Sequence, residues 1–101
     1  MEKMRPTYDL EAVKRVLGDD VTLSMTVPAF RSAATLGFDR SGVAAVVRGM
    51  TRGMFYKSMT TYGDHRTWQD VYHVPAGRLV LYVKVEADVV TAFRLVSFKE
   101  K

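Results

Sequence analysis

The chain has 101 residues, 48% of them apolar and 26% charged, a composition that describes one modest globular domain and excludes a disordered tail. It holds no cysteine, which excludes disulfides, thiolate nucleophiles and the common structural zinc sites. Its net charge is +4, with seven cationic against six anionic residues in positions 1–50 and eight against five in positions 51–101, a basic tilt of the second half that favours a polyanionic partner.

The apolar runs are only a few residues long, too short to span a bilayer, and Met1-Glu2-Lys3-Met4-Arg5-Pro6 lacks the apolar core of a signal peptide, so no membrane association and a cytoplasmic location are expected. Leu10, Val13, Val16 and Leu17 recur at helical spacing, with Thr7 or Asp9 placed to cap the start and Gly18 to end the helix. Asp19-Asp20 reads as a turn and Val21-Thr22-Leu23-Ser24 as a short extended stretch. A second helical segment opens near Pro28 and runs from Ala29 to Leu36, ending at Gly37. A third starts at Ser41 and turns Val43, Val46, Val47 and Met50 toward the core.

Beyond Thr51-Arg52-Gly53 the period changes from helical to alternating. Phe55 to Tyr62, Thr67 to Val74, Arg78 to Asp88 and Val90 to Phe98 are predicted strands, rich in Val, Tyr, Phe and Thr. Gly63-Asp64, Pro75-Ala76-Gly77 and a tight reversal near Ala87-Asp88 separate them. Such short connections cannot carry parallel crossovers, so the strands form an antiparallel meander. Helices first and strands afterwards predict a single α+β domain over residues 1–101, with the N-terminal helices packed on one face of the sheet. In the third of these strands Leu79, Leu81, Val83 and Val85 face the core and Val80, Tyr82, Lys84 and Glu86 face away. In the first, both faces mix aromatic and polar groups, so neither is plainly buried. A sheet surface that shows Lys, Tyr, Gln and Met together suits a single RNA strand, whose phosphates seek cations and whose bases seek flat partners.

The usual catalytic signatures are missing: there is no phosphate-binding P-loop, no dinucleotide glycine fingerprint and no HExxH helix. His65 and His73 are too few for a metal cluster, and the serines have no evident His and acid partners, so neither a metal site nor a hydrolytic triad is expected, nor any cofactor. What remains is Lys57, Gln69, Tyr82 and Lys99, about one residue from each predicted strand. Taken alone, these read sooner as solvating charges at strand edges, an exposed polar residue and an amphipathic packing tyrosine than as a site.

The block Phe55-Tyr56-Lys57-Ser58-Met59-Thr60-Thr61-Tyr62, then Asp64-His65 and Trp68-Gln69-Asp70-Val71-Tyr72, resembles the signature of the motility quorum-sensing regulator (MqsR) toxins. The resemblance resumes at Tyr82 and Lys84 and ends in Val96-Ser97-Phe98-Lys99-Glu100-Lys101. It is thinner in the first half, where it rests on Met1-Glu2-Lys3, Leu10, Val13-Lys14, Leu36-Gly37, Asp39 and Gly42. Gly63 and His73-Val74-Pro75 depart from the family pattern.

The resemblance implies a RelE-like fold and metal-independent, sequence-selective cleavage of messenger RNA, in this family at GCU-type sites. It assigns cleavage to Lys57, Gln69, Tyr82 and Lys99 and RNA contact to Tyr56, Met59, His65 and Lys84. It also implies a single-stranded messenger RNA substrate and a cognate, DNA-binding, MqsA-like antitoxin, DNA being reached only through that partner. RNA supplies its own nucleophile, the 2′-hydroxyl, so the protein has to accept that proton, stabilise the transition-state charge and protonate the leaving 5′-oxygen. Lys57 and Lys99 are expected as charge stabilisers, one of them able to act as base, with Tyr82 positioning or protonating and Gln69 holding the phosphate or a base edge. The alternatives are a nucleic-acid-binding regulatory module without catalysis and a structural interaction domain.

Overall fold

A computed structural model describes residues 1–101. The first strand, β1, is only Glu2–Lys3, and α1 follows over Leu10–Leu17. Of the two capping candidates, Asp9 starts α1: its carboxylate accepts from the Ala12 N–H at 3.1 Å, and it satisfies one of the free N–H groups of the first turn. Leu10, Val13 and Leu17 turn inward, while Lys14 and Arg15 sit in the last turn, where the helix dipole favours cations.

The extended stretch expected at Val21–Ser24 is met only at its end. Val21 and Thr22 form a turn in which the Asp19 carbonyl accepts from Thr22 and Leu23 and the Asp19 carboxylate from Val21, whereas the Ser24 carbonyl accepts from the Leu95 N–H at 2.9 Å and Met25 bridges in parallel to Leu95. Helix α2 (Val27–Thr35) is capped by Thr26 with Pro28 in its first turn, and α3 (Arg40–Arg48) is capped by Asp39, which accepts from the Gly42 N–H at 2.7 Å. Gly37 makes the corner between them with φ +89°, a conformation that a side chain resists.

After a short 3-10 turn at Arg52–Met54 come β2 (Phe55–Thr60), β3 (Trp68–Ala76), β4 (Leu79–Asp88) and β5 (Ala92–Glu100). The five strands lie in chain order and all neighbours are antiparallel. The helices pack on one face only, which gives the α+β layering that the sequence predicted. Leu10, Val13, Leu17, Val43 and Val47 meet Tyr72, Val74, Leu81, Val83, Val85, Leu95 and Phe98 in one continuous core. Burying side chains of this size contributes roughly 1.5–3 kcal/mol each, and no comparable cover lies on the other face.

β2 is shorter than predicted, and β5 has the predicted length but lies two residues further along the chain. β2 stops at Thr60, and Tyr62 projects from the β2–β3 connection fully exposed, so it covers no part of the sheet. β5 starts at Ala92, because the reversal lies at Val89–Thr91 rather than at Ala87-Asp88: the Asp88 carboxylate accepts from the Val90 and Thr91 N–H groups and closes the turn there.

The mixed pattern of β2 also has a cause. Ser58 and Thr60 face the covered side, but what covers them is the polar N-terminal segment. Thr7 and Ser58 share a hydroxyl hydrogen bond at 2.8 Å, and the terminal ammonium donates to the Thr60 hydroxyl at 2.9 Å. The fully buried Asp70 anchors the segment by accepting from the backbone N–H groups of Thr7 and Tyr8 at 2.9–3.0 Å. A buried carboxylate is tolerable only when its lone pairs are met in this way.

Candidate active site

Strand pairing and side-chain alternation sort the uncovered face into three rows that run across the strands. One row is Tyr56, His73, Tyr82 and Lys99: His73 pairs with Tyr82 and Tyr82 with Lys99. Tyr56 reaches it through an irregularity between Phe55 and Lys57 that lets an extra residue of β2 turn outward. The next row is Lys57, Val71, Lys84 and Ser97, and the third is Glu2, Met59, Gln69, Glu86 and Arg94. The face therefore brings together all four residues expected to cleave RNA, one on each of β2 to β5. Tyr82 and Lys99 are direct neighbours, whereas Lys57 and Gln69 stand one and two rows away.

Charge is distributed unevenly over these rows. Lys57 is paired with Glu2, Nζ to Oε2 at 2.7 Å, and this hydrogen bond raises its pKa above the usual lysine value. Glu86, 5% exposed, accepts from Arg94 Nε at 2.7 Å and from Gln69 Nε2 at 2.8 Å, so its charge is spoken for. Gln69 thereby commits one donor and keeps its carbonyl oxygen free.

Lys84 and Lys99 take no part in any ion pair or hydrogen bond. Their ammonium groups lie 5.6 and 5.2 Å from the centroid of the Tyr82 ring, Lys84 two residues along the same strand and Lys99 directly opposite on β5. Burial pushes the Lys84 pKa down, and the Lys57 charge beyond Val71 pushes it further, against a smaller opposing pull from Glu86. Lys84 therefore gives up its proton more readily than an ordinary lysine.

The other expected RNA contacts divide. Tyr56 and Met59 are on the face, Tyr56 44% exposed, but His65 stands in the exposed β2–β3 connection instead of on a strand. His73 was overlooked as a site residue because a lone histidine reads as a solvated polar group. The alternation of Gln69, Val71 and His73 along one strand was the signal that places it with the others. It stacks on Tyr56, with ring centroids 4.2 Å apart and planes at 23°, and lies 6.1 Å from the Tyr82 ring. No three His, Asp or Glu side chains come together in a way that could hold a metal ion. No helix is long and apolar enough to cross a membrane.

The face is thus an open platform with cations and aromatic rings in its middle and saturated carboxylates at two corners. It has the means to bind a polyanion, to stack flat groups and to supply protons. Comparison with known proteins bears on the chain as a whole. The family model described as motility quorum-sensing regulator, toxin of MqsA, matches residues 5–100. The mRNA interferase toxin MqsR of Escherichia coli (strain K12) is 41% identical over 103 residues, an alignment that takes in the whole of both chains.

Proposed function

The chain belongs to the family of motility quorum-sensing regulator toxins, and from that membership we propose that it is an endoribonuclease toxin that cleaves messenger RNA on its uncovered sheet face. The observation that carries this reading is the junction of Lys57, Lys84, Lys99 and Tyr82 on one sheet face that no helix covers.

A metal-independent route suits these side chains. The 2′-oxygen attacks the adjacent phosphorus in line, the bond from phosphorus to the 5′-oxygen breaks, and the products are a 2′,3′-cyclic phosphate and a 5′-hydroxyl. Lys57, held protonated by Glu2, and Lys99 stabilise the negative charge that builds on the phosphorane oxygens. Lys84 protonates the leaving 5′-oxygen, since a lysine with a lowered pKa is the better donor. The Tyr82 hydroxyl orients the phosphate between the two free ammonium groups. Gln69 presents its free carbonyl oxygen to an amino group on a base edge, a better fit than the phosphate contact that was the other expectation. Tyr56 and Met59 bear on the flanking bases, where an aromatic stack is worth about 1–3 kcal/mol.

Selectivity for GCU-type sites, a DNA-binding antitoxin as partner and a cytoplasmic place of action complete the reading, by the same family relation. Incubation of the purified protein with a defined RNA that contains GCU, with and without EDTA and beside Lys57→Ala, tests it. Cleavage that survives EDTA, leaves 5′-hydroxyl ends and is lost in the variant is the expected result. Binding without cleavage would instead make the protein a nucleic-acid-binding module, and 5′-phosphate ends would make it a metal-dependent nuclease. Mapping of the 5′ ends reads the cut site directly.

A further inference from the structure

On the uncovered face one side chain of suitable chemistry has no task in the scheme above. His73 occupies the centre of the sheet, on a strand hydrogen-bonded along both edges, in register with Tyr82 and through it with Lys99. We propose that His73 is a further catalytic residue, the base that takes the proton from the attacking 2′-hydroxyl; this rests on the endoribonuclease reading and deepens it.

Three features of its placement support the role. The imidazole is held in one plane by its stack on Tyr56 and flanked by Tyr82 on the other side, so its orientation is set before substrate arrives. Neither ring nitrogen forms a hydrogen bond within the protein, which leaves a lone pair for an incoming hydroxyl. The surroundings also keep the ring neutral. Tyr56 from β2, Tyr82 and Lys84 from β4, and Lys99 and Lys101 from the end of β5 are the titratable groups around it. Burial first, and the Lys101 charge second, hold its pKa below the usual histidine value.

The other candidate bases fit less well. Lys57 keeps its proton more tightly than a free lysine, and His65 stands off the strands in a connecting loop. The proton balance is complete with His73. Its neutral nitrogen accepts the 2′-hydroxyl proton as the 2′-oxygen bonds to phosphorus, and the Lys84 ammonium gives its proton to the departing 5′-oxygen. The enzyme is left with an imidazolium and a neutral lysine, and exchange with solvent restores both. Such a pair gives a bell-shaped pH dependence, whose acid limb falls below pH ~6.5 and whose basic limb falls below pH ~10.5.

The test compares cleavage of one defined RNA by wild type, His73→Phe, His73→Gln and His73→Ala over pH 4.5–9.5. The Phe variant keeps a flat ring to stack on Tyr56 and removes both nitrogens. Expected are a fall in cleavage rate of about 10²–10⁴-fold, disappearance of the acid limb, retained binding of an RNA carrying a 2′-deoxy group at the cut site, and partial rescue of His73→Ala by added imidazole. A Phe variant that cuts at the wild-type rate with its acid limb intact overturns the proposal. So does a slow, well-folded Ala variant that imidazole does not rescue, judged folded by circular dichroism and by its binding of the 2′-deoxy RNA. If wild type itself leaves the RNA intact, the endoribonuclease reading fails first.

Discussion

Glu2 and Lys57 meet at 2.7 Å where β1 pairs with β2, so the second residue of the chain supplies the carboxylate that neutralises a lysine of the cationic face. Lys57 commits one of its three donors to Glu2, and any phosphate that contacts the ammonium competes with this carboxylate for it. The pair acts as a counter-charge already in place, which weakens the pull of Lys57 on RNA.

Removing the competitor should therefore tighten binding. Glu2→Gln is expected to raise affinity for an uncleavable RNA and to steepen its salt dependence by about 0.7 in the log–log slope, the contribution of one more phosphate contact on a single strand. Lys57→Ala should flatten the slope by a similar amount. Titrations at several salt concentrations measure both, and equal slopes for all three proteins would rule out a phosphate contact at Lys57.

Lys84 should show a conflict between stability and activity. Its folded-state pKa lies below the unfolded value, so the fold penalises the protonated lysine at neutral pH, and this penalty is relieved as pH rises from the folded value toward 10.5. Lys84→Met removes the penalty. The variant should unfold at a denaturant concentration equal to or above that of wild type at pH 7, by less than about 1 kcal/mol because solvent screens a half-exposed group. Its cleavage rate should fall by about 10²–10³-fold. A destabilised variant at pH 7 would contradict this account of the site.

Asp70 is expected to be among the residues least tolerant of neutralisation. Asp70→Asn keeps one acceptor oxygen for the Thr7 and Tyr8 N–H groups, but sets an amide NH₂ against the Thr7 N–H where the second carboxylate oxygen stood and takes the charge out of hydrogen bonds worth about 1.5–3 kcal/mol. Chemical denaturation should report a loss of that size. Faster hydrogen exchange in residues 1–8 than in the rest of the sheet would locate it.

Ala92 opens β5 with φ +67°, where a Cβ crowds its own carbonyl. Ala92→Gly should relieve about 1–2 kcal/mol of crowding and return part of it as extra freedom in the unfolded chain, for a net gain of about 0.5–1 kcal/mol. Thermal melts decide this, and a loss of stability would show that the turn is held by its side chain.

The parts of this molecule that were legible in the sequence are those fixed by burial. In β4 the alternation of Leu81, Val83 and Val85 with Tyr82, Lys84 and Glu86 states which side faces the helices, because the two environments differ sharply. β2 gave no such signal, since its covered face meets a polar strap and tolerates Ser58 and Thr60. β1 was invisible for a related reason: two residues that pair at one edge carry no periodicity. Asp70 was passed over because its value depends on backbone N–H groups more than sixty positions away. The strand membership of Lys57, Gln69 and Tyr82 was accessible to pattern reading, whereas Lys99 fell one residue beyond the predicted fourth strand; the partners Glu2, Glu86 and Arg94, which decide which of those groups are free, were not accessible.

The chain-order sheet also has a kinetic side. From β2 onward each strand pairs with the one just made, so the meander grows through short closures that cost little loop entropy. Seating β1 closes the longest loop in the sheet, with Met1 and Thr60 separated by 59 positions. Such long-range pairings are the slow ones, which places the N-terminal strap among the last contacts to form and the first to detach. Defects at Asp70 should accordingly quicken unfolding while leaving the refolding rate nearly unchanged. While β1 is unseated Lys57 lacks its carboxylate, so the transiently frayed protein carries a more positive surface than the native one.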